Sequence, residues 1–480
     1  MPAMALQHHF STLILRLSSD PSPMQDPAKN KINPGARLHL HPWLLYMTLL
    51  ALAWSCRKSD YFTDEMKSIT DLGGGTGTVT WTSDHSYLLN GFVFVNDGQT
   101  LTIEAGTVIR ARTGQGTLAS ALIVARGGKI IAQGEKTNPI IFTVEGDDLK
   151  GSVPVEARGL WGGLIMLGNA TINTVSGEDM IEGIPISEPR GIYGGYDDDD
   201  NSGILEYVSI RHGGTNIGEG NEINGLTLGG VGRKTIIDHV EVISNADDGV
   251  EVFGGSVNLT NLAVSFCGDD AFDLDQGYHG KGQFWLGINS LDSDKCMEIT
   301  GGLQPVTPLP ESQPLIYNAT LIGPYPGTGE AVVSYAHYGG GLIRNTIFLQ
   351  PGSGISIRYT NLPGDSYALF ESGKLALNNN IFFPGGFPDS LLFCYSDLGE
   401  DVSVQNSILA DSLEAWQSSF EDPGISADDG YSLLPPSTEF DNLAPYTHSW
   451  FEKVTYKGAF GSNNWIEGWT LLYESDYVIH

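Results

Sequence analysis

Two stretches decide the reading of this chain: Asn245-Ala-Asp-Asp-Gly-Val-Glu-Val-Phe-Gly-Gly255 and Cys267-Gly-Asp-Asp-Ala-Phe-Asp-Leu-Asp-Gln-Gly277. Asp247 corresponds to Asp269, Asp248 to Asp270 and Glu251 to Asp273, each 22 residues on. Apolar and polar residues alternate within both, which is the period of a β-strand. Val250, Val252, Phe272 and Leu274 should therefore face a core, while Glu251, Asp273 and Asp275 face outward together. Asp294-Lys-Cys-Met-Glu298 offers a third turn, with Glu298 continuing the outward column. A constant offset of this size is one turn of a solenoid, so equivalent residues should stack one rung apart, at ~4.8 Å.

The same phrase recurs on both sides. Leu101-Thr-Ile-Glu-Ala-Gly-Thr-Val-Ile109, Ala121-Leu-Ile-Val-Ala125, Pro139-Ile-Ile-Phe-Thr143, Leu205-Glu-Tyr-Val-Ser-Ile210 and Ile236-Ile-Asp-His-Val-Glu-Val242 are short β-branched runs between turn residues. Asn-led versions begin at Asn318, Asn345, Asn379 and Asn406, spaced 27, 34 and 27 residues apart. Amphipathic helical spacing is scarce. The fold class expected is all-β, a single-stranded right-handed parallel β-helix over residues 79–410. Its length allows roughly 14 turns if each uses about 25 residues. Residues 144–160, 173–203 and 301–314 read as loops leaving the coil. Residues 411–480 lose the repeat and gain Trp450, Tyr456, Phe460, Trp465 and Trp469. They are expected to cap the open end of the solenoid; an aromatic sugar platform is the alternative.

Composition agrees. The 480 residues include 61 Gly and 24 Pro but only 17% charged residues, the signature of many short strands joined by tight turns. Asp and Glu outnumber Lys and Arg by 57 to 25, a formal charge of −32. Such a surface repels nucleic acid, so no nucleic-acid partner is expected. A polyanionic glycan would need a basic patch or a bridging metal. The four cysteines are too sparse for a disulfide framework. Cys267, Cys296 and Cys394 read as buried thiols.

The fourth, Cys56, follows the apolar run Leu44 to Ser55. That run has signal-peptide length and is too short to span a bilayer. With Ala53 and Ser55 just before it, Cys56 resembles a lipidation site. Residues 1–55 are then an upstream extension and signal peptide, and residues 56–78 a lipidated cysteine and tether. The protein would be exported to the outer membrane or cell surface and held there by its lipid anchor alone.

Between Asp247 and Asp275 stand seven carboxylates and no Lys or Arg. Stacked one rung apart they repel, by about 3 kcal/mol per pair at an effective dielectric near 20. Three remedies exist. Ca²⁺ could be held by Asp247, Asp248, Glu251, Asp269, Asp270, Asp273 and Asp275. A carboxyl could keep its proton, which would make Asp248, Asp269, Asp270 and Asp273 acid–base candidates. Or the aspartates could turn inward and accept turn N–H groups. His212 and His239 are read as satisfied strand histidines, and Asp197–Asp200 as a solvated turn or a cation site.

Leu160-Trp-Gly-Gly-Leu-Ile-Met-Leu-Gly-Asn-Ala170, Gly194-Gly-Tyr-Asp-Asp-Asp-Asp-Asn-Ser-Gly203, Ile210-Arg-His-Gly-Gly214, Asn224-Gly-Leu-Thr-Leu-Gly-Gly-Val-Gly232 and the closing Tyr456-Lys-Gly-Ala-Phe-Gly461 to Gly468-Trp-Thr470 resemble a family of surface β-helix lipoproteins of Bacteroidetes-type bacteria. The likeness covers nearly all of the chain after Cys56 and implies fold and location rather than chemistry. More widely, the chain resembles the pectin-lyase-like β-helix group. Asp248 followed by Asp269-Asp270 is similar to the polygalacturonase spacing. However, His279-Gly280 comes only nine residues after Asp270, and no Arg-x-Lys follows. Lyases of this fold use Ca²⁺ and a basic residue, and Lys281 and Lys295 stand near the acidic rungs. The expectation is a surface lipoprotein that binds a polysaccharide or other glycan, or assists an outer-membrane transporter in nutrient uptake. The alternative is a polysaccharide lyase or glycoside hydrolase acting over residues 247–275.

Overall fold

The 22-residue offset is realised as a rung step. The computed structural model describes residues 66–480 apart from 219–220, 303–306, 324–329, 384–390, 428–429 and 479–480. In it Val250 pairs with Phe272, Glu251 with Asp273 and Val252 with Leu274, all in parallel register. The next rung sets Asp273 beside Glu298. Such pairings build a ten-stranded parallel sheet from Phe92–Val95 to Leu392–Tyr395. The other two sides of each turn merge into a 17-stranded sheet. There Gly203–Arg211, Ile236–Ile243, Asn258–Ser265 and Lys281–Ile288 are long strands that bend in the middle and serve both sides. The chain is a right-handed parallel β-helix, with Val250, Val252, Phe272, Leu274 and Trp285 fully buried in its core.

One residue per turn makes the bend. Tyr207, His239, Asn261, Phe284, Asn318, Asn345 and Asn379 all have φ between 48° and 59°. Asn tolerates this left-handed conformation best among residues with a side chain, which explains why Asn opens the repeated phrase. The corner amides also bind. Asn318 Nδ2 donates to the Tyr456 carbonyl at 2.7 Å, and the Ala444 N–H donates to Asn345 Oδ1 at 2.7 Å. The fourth Asn-led phrase departs from the pattern. Asn406 lies in a helix, Ser403–Leu409, and its Oδ1 accepts the Cys394 N–H at 2.6 Å. The last rung has no following turn to accept its N–H groups, so a helix side chain does so. Leu409 and Leu413 close the core there.

The ten rungs of the first sheet are fewer than the 14 estimated, because the chain spends residues in excursions. One leaves after Ile140–Val144 and another after Leu164–Leu167. The second, residues 168–202, folds back over the outward face of the ten-stranded sheet. Its Ile172, Ile181, Ile184 and Tyr193 pack on Phe94, Ile123, Ile165, Leu167 and Phe253. Each isoleucine so buried contributes roughly 1.5–3 kcal/mol before entropy is counted. Arg190 fixes the loop, pairing with Asp71 at 2.7 Å and lying 3.7 Å over the Phe94 ring.

Residues 66–78, expected in the tether, are folded. Met66–Ile69 pairs in parallel with Ser86–Leu89, so the β-helix starts ahead of Val79. Asp71 is anchored by the Gly73 and Gly75 N–H groups as well as by Arg190. The expected signal peptide and the expected lipidation site Cys56 lie outside the described residues. Cys267, Cys296 and Cys394 are free and buried. Among the described residues no helix is long and apolar enough to cross a membrane.

The first part of the expected cap does cover the end of the solenoid, with Leu413 and Trp416 on the core and Ser419 paired with Ile381, whereas the aromatic tail after it covers apolar surface along the flank. Ala459, Phe460, Ile466, Leu472 and Val478 pack on the outward side chains Ile243, Ala263, Leu286, Ile322, Ile347 and Ile381, one rung after another. The tail thus runs back toward the middle of the chain. Its anchor is Glu241, wholly buried, whose carboxylate accepts the Leu471 and Leu472 N–H groups at 2.8 and 2.9 Å and the Ser209 hydroxyl. Burial raises the Glu241 pKa, and Arg211 beside it opposes the shift. Replacing Glu241 by Ala strips the Leu471 and Leu472 N–H groups and the Ser209 hydroxyl of their acceptor and leaves buried Arg211 only the half-exposed Glu474, 3.9 Å away. Glu241→Ala should cost roughly 3–5 kcal/mol in chemical denaturation, with faster hydrogen exchange at Leu471 and Leu472. Exchange unchanged from wild type would show that the tail is held by its apolar contacts alone.

Candidate functional site

Three columns of side chains run down the ten-stranded sheet. Pairing places Thr227, Glu251, Asp273, Glu298 and Ser334 in one outward column. Phe253, Asp275 and Thr300 form a second. At the entry to each strand Asn224, Asp248, Asp270 and Lys295 follow one another in the third. The apolar side chains of loop 168–202 cover the sheet as far as Phe253, Tyr193 and Asn173 reach on to Gln276 and Gly301, and Glu182 of the loop lies beside Glu251.

The entry column is structural in part. Asp248 Oδ1 accepts the Asp270 N–H at 2.8 Å, and Asp270 Oδ1 accepts the Lys295 N–H at 2.7 Å. Each aspartate therefore caps the amide of its own successor one rung on. The next position must be small: a Cβ on Gly249 would lie 2.1 Å from a Val264 methyl and 2.8 Å from the Ala271 carbonyl oxygen. The Asp-Gly pair is thus fixed by sterics and by capping together.

The middle column lacks such a structural role. Carboxylate oxygens of Asp248, Glu251 and Asp273 lie within 4.8 Å of one another. Glu251 and Asp248 are each 7% exposed and Asp270 is 3% exposed. Asn224 Nδ2 donates to Glu251 and, at 3.1 Å, to Glu182. Asp273 Oδ1 is shielded from solvent and has no hydrogen-bond partner. Burial first, and neighbouring carboxylates second, raise the pKa of Asp248, Glu251 and Asp273 well above the usual range. Asp247 is raised to about 7 by burial and by Glu182 and Asp269.

Charge is compensated at one end only. Lys295 pairs with Asp294 and stands 3.6 Å from Glu298 and 3.9 Å from Asp270. Asp270, Glu298 and Asp294 together hold its proton more tightly than usual, against burial. Asp248, Glu251 and Asp273 form no ion pair with a cationic side chain among the described residues. This end fits a divalent cation: hard oxygen donors converge, and one buried oxygen is unsatisfied. Asp247 and Asp269 lie on the rim, where Asp247, Asp248 and Asp269 make a second cluster and Asp269, Asp270 and Asp294 a third. Asp275 is set apart, bonded to the Thr300 hydroxyl at 2.6 Å.

Glu182 and Asn224 were not singled out from sequence. Glu182 sits on a loop 69 residues before Glu251, with no periodicity to connect them. Asn224 could have been found, since Asn224-Gly-Leu-Thr-Leu aligns with Asp248-Gly-Val-Glu-Val at an offset of 24. The acidic turn Asp197–Asp200 is matched by cations: Asp198 pairs with Arg233 and His279, and Asp199 with Arg233 and Lys234. His212 bonds to the Ala157 carbonyl, and His239 stacks on Tyr207 beneath Trp465 and Trp469.

Residues 73–389 match the model of the pectate-lyase-like β-helix domain. The chain belongs to that family. Among solved structures, the Dettilon tailspike protein is similar at 13% identity and a TM-score of 0.25, over 67% of this chain and 57% of that one. No curated protein matches.

Burial, and then the like charges around it, give this pectate-lyase-like domain a defined pH response. A carboxyl whose pKa is raised by folding stabilises the folded state while protonated. That contribution is complete below the unfolded value, ~4, and is lost as pH rises through the folded value. With the Asp247 value at about 7, melting temperature in chelator should fall from about pH 5 to about pH 8. Ca²⁺ should restore it at the upper pH and do little at the lower. A melting temperature that is flat or rising in chelator across that interval would contradict this electrostatic account.

Proposed function

We propose that this protein is an exported, lipid-anchored β-helix protein that binds glycan over its acidic face, with Ca²⁺ as the bridge. The observation that carries the reading is the converging trio Asp248, Glu251 and Asp273, close together, mostly buried and without an ion pair to Lys or Arg among the described residues. These residues, with Asp247 and Glu182 beside them, would hold the ion. A bound divalent cation supplies the positive charge that a surface of this acidity needs to accept an acidic sugar. Membership in the pectate-lyase-like family supports glycan as the ligand class. The run before Cys56 supports acylation there and a place at the outer membrane or cell surface, as in the lipoproteins of Bacteroidetes-type bacteria that the chain resembles. Glycan captured there would be delivered to an outer-membrane transporter.

The raised proton affinity of Asp248, Asp269, Asp270 and Asp273 favours a second reading, a lyase or hydrolase over the same rungs. Lys295 argues against the lyase form, because three carboxylates keep it protonated and unfit as a base. Calorimetry should detect Ca²⁺ binding that Glu251→Gln with Asp273→Asn weakens at least tenfold. In a polysaccharide screen, retention of intact glycan in Ca²⁺ and release in chelator supports binding. Product formation lost in Asp269→Asn with Asp270→Asn would establish the enzyme instead.

A further inference from the structure

A separate cavity of about 480 Å³ lies where the C-terminal tail meets the corner of the solenoid. Its walls are aromatic. Phe266 stands 5.1 Å from Tyr477 and 6.2 Å from Tyr431, centroid to centroid. The two tyrosines are held side by side, because the Tyr431 N–H donates to the Tyr477 carbonyl at 2.8 Å. The rim is polar. Tyr477 donates its hydroxyl to Glu156, and Arg158 pairs with Asp292 at 3.0 Å and with the Ser290 hydroxyl at 2.7 Å. Arg158 Nε is buried without a partner.

Flat apolar walls with donors and acceptors around them are what a sugar ring requires, since its C–H face stacks and its hydroxyls both give and accept. The volume falls within the range that small-ligand sites use. The charges choose among sugars. Hydrogen bonding to Tyr477 lowers the Glu156 pKa, and bonding to Ser290 and Arg158 lowers that of Asp292. Two carboxylates then face one guanidinium, which disfavours an acidic sugar and suits an uncharged one. The cavity also has a neighbour. Ser290, Leu291 and Asp292 line it, and Asp294 on the same loop joins Asp269 and Asp270 in the third carboxylate cluster.

We infer that this cavity is a subsite for uncharged pyranose units of a glycan whose acidic units sit on the cation around the corner. The inference rests on the glycan-binding reading above and narrows it to heteroglycans carrying both kinds of sugar. Neither site alone defines the ligand.

The test uses the full chain and neutral oligosaccharides of glucose, mannose, galactose and xylose, four to six units long, by calorimetry in chelator. Binding of at least one series is expected without any metal, weakened at least tenfold in Tyr477→Ala. Leu291→Asp, at an exposed rim position, guards against misfolding and should weaken it several-fold with melting unchanged. If glycans bind only in Ca²⁺, and Tyr477→Ala and Leu291→Asp bind them as wild type does, the subsite is overturned while the cation site stands. If neutral sugars bind in chelator and acidic glycans fail to bind in Ca²⁺, the cation reading is overturned and the subsite stands. Absence of binding under both conditions overturns both.

Discussion

Everything in this molecule is built on parallel hydrogen bonding between successive turns of one chain. That ladder fixes the rung step and sets residues of like position directly above one another. Inward, it stacks Val250 on Phe272 on Met297 and yields a continuous core. Outward, it does the same to Glu251, Asp273 and Glu298, where like charges are costly. The backbone cannot relieve the repulsion without giving up register. Relief therefore has to come from protons, from Lys295 or from an ion, and those three choices are what give the column any chemistry.

The fold was legible because a solenoid writes its geometry into local spacing. Alternation named the inward and outward residues of rungs 250–253 and 272–275 correctly, and the offset of 22 named their partners. The inward-turning role of Asp248 and Asp270 was also among the readings of the sequence, and the N–H groups they accept bear it out. What could not be read were contacts made by segments that have left the repeat. Loop 168–202 and the tail obey no rung spacing, so Glu182 above Glu251, and Leu471 on Glu241, leave no periodic trace. Asn406 shows the opposite failure. It kept the local phrase of a corner but lies past the last turn, where no neighbour exists to make it a strand.

Loop 168–202 also shapes the electrostatics. By covering the sheet up to Phe253 it excludes water from one side of the acidic column. The same carboxylates on an open sheet would be screened and close to ordinary in their titration. Under the loop they are desolvated, with Asn224 as the neutral partner that keeps Glu251 and Glu182 together. A long excursion from a solenoid thus acts here as a dielectric cover over the acidic column.

The tail that returns to Glu241 carries a kinetic consequence. Leu471 meets a residue 230 positions earlier in the chain, whereas most rung contacts join residues only two or three dozen apart. Closing that loop is entropically slower than adding turns to a growing stack. A polypeptide delivered from its N-terminus can assemble its turns in order, yet the middle flank stays bare until residues 459–478 arrive. A chain lacking those residues would present an apolar stripe for proteolysis or aggregation.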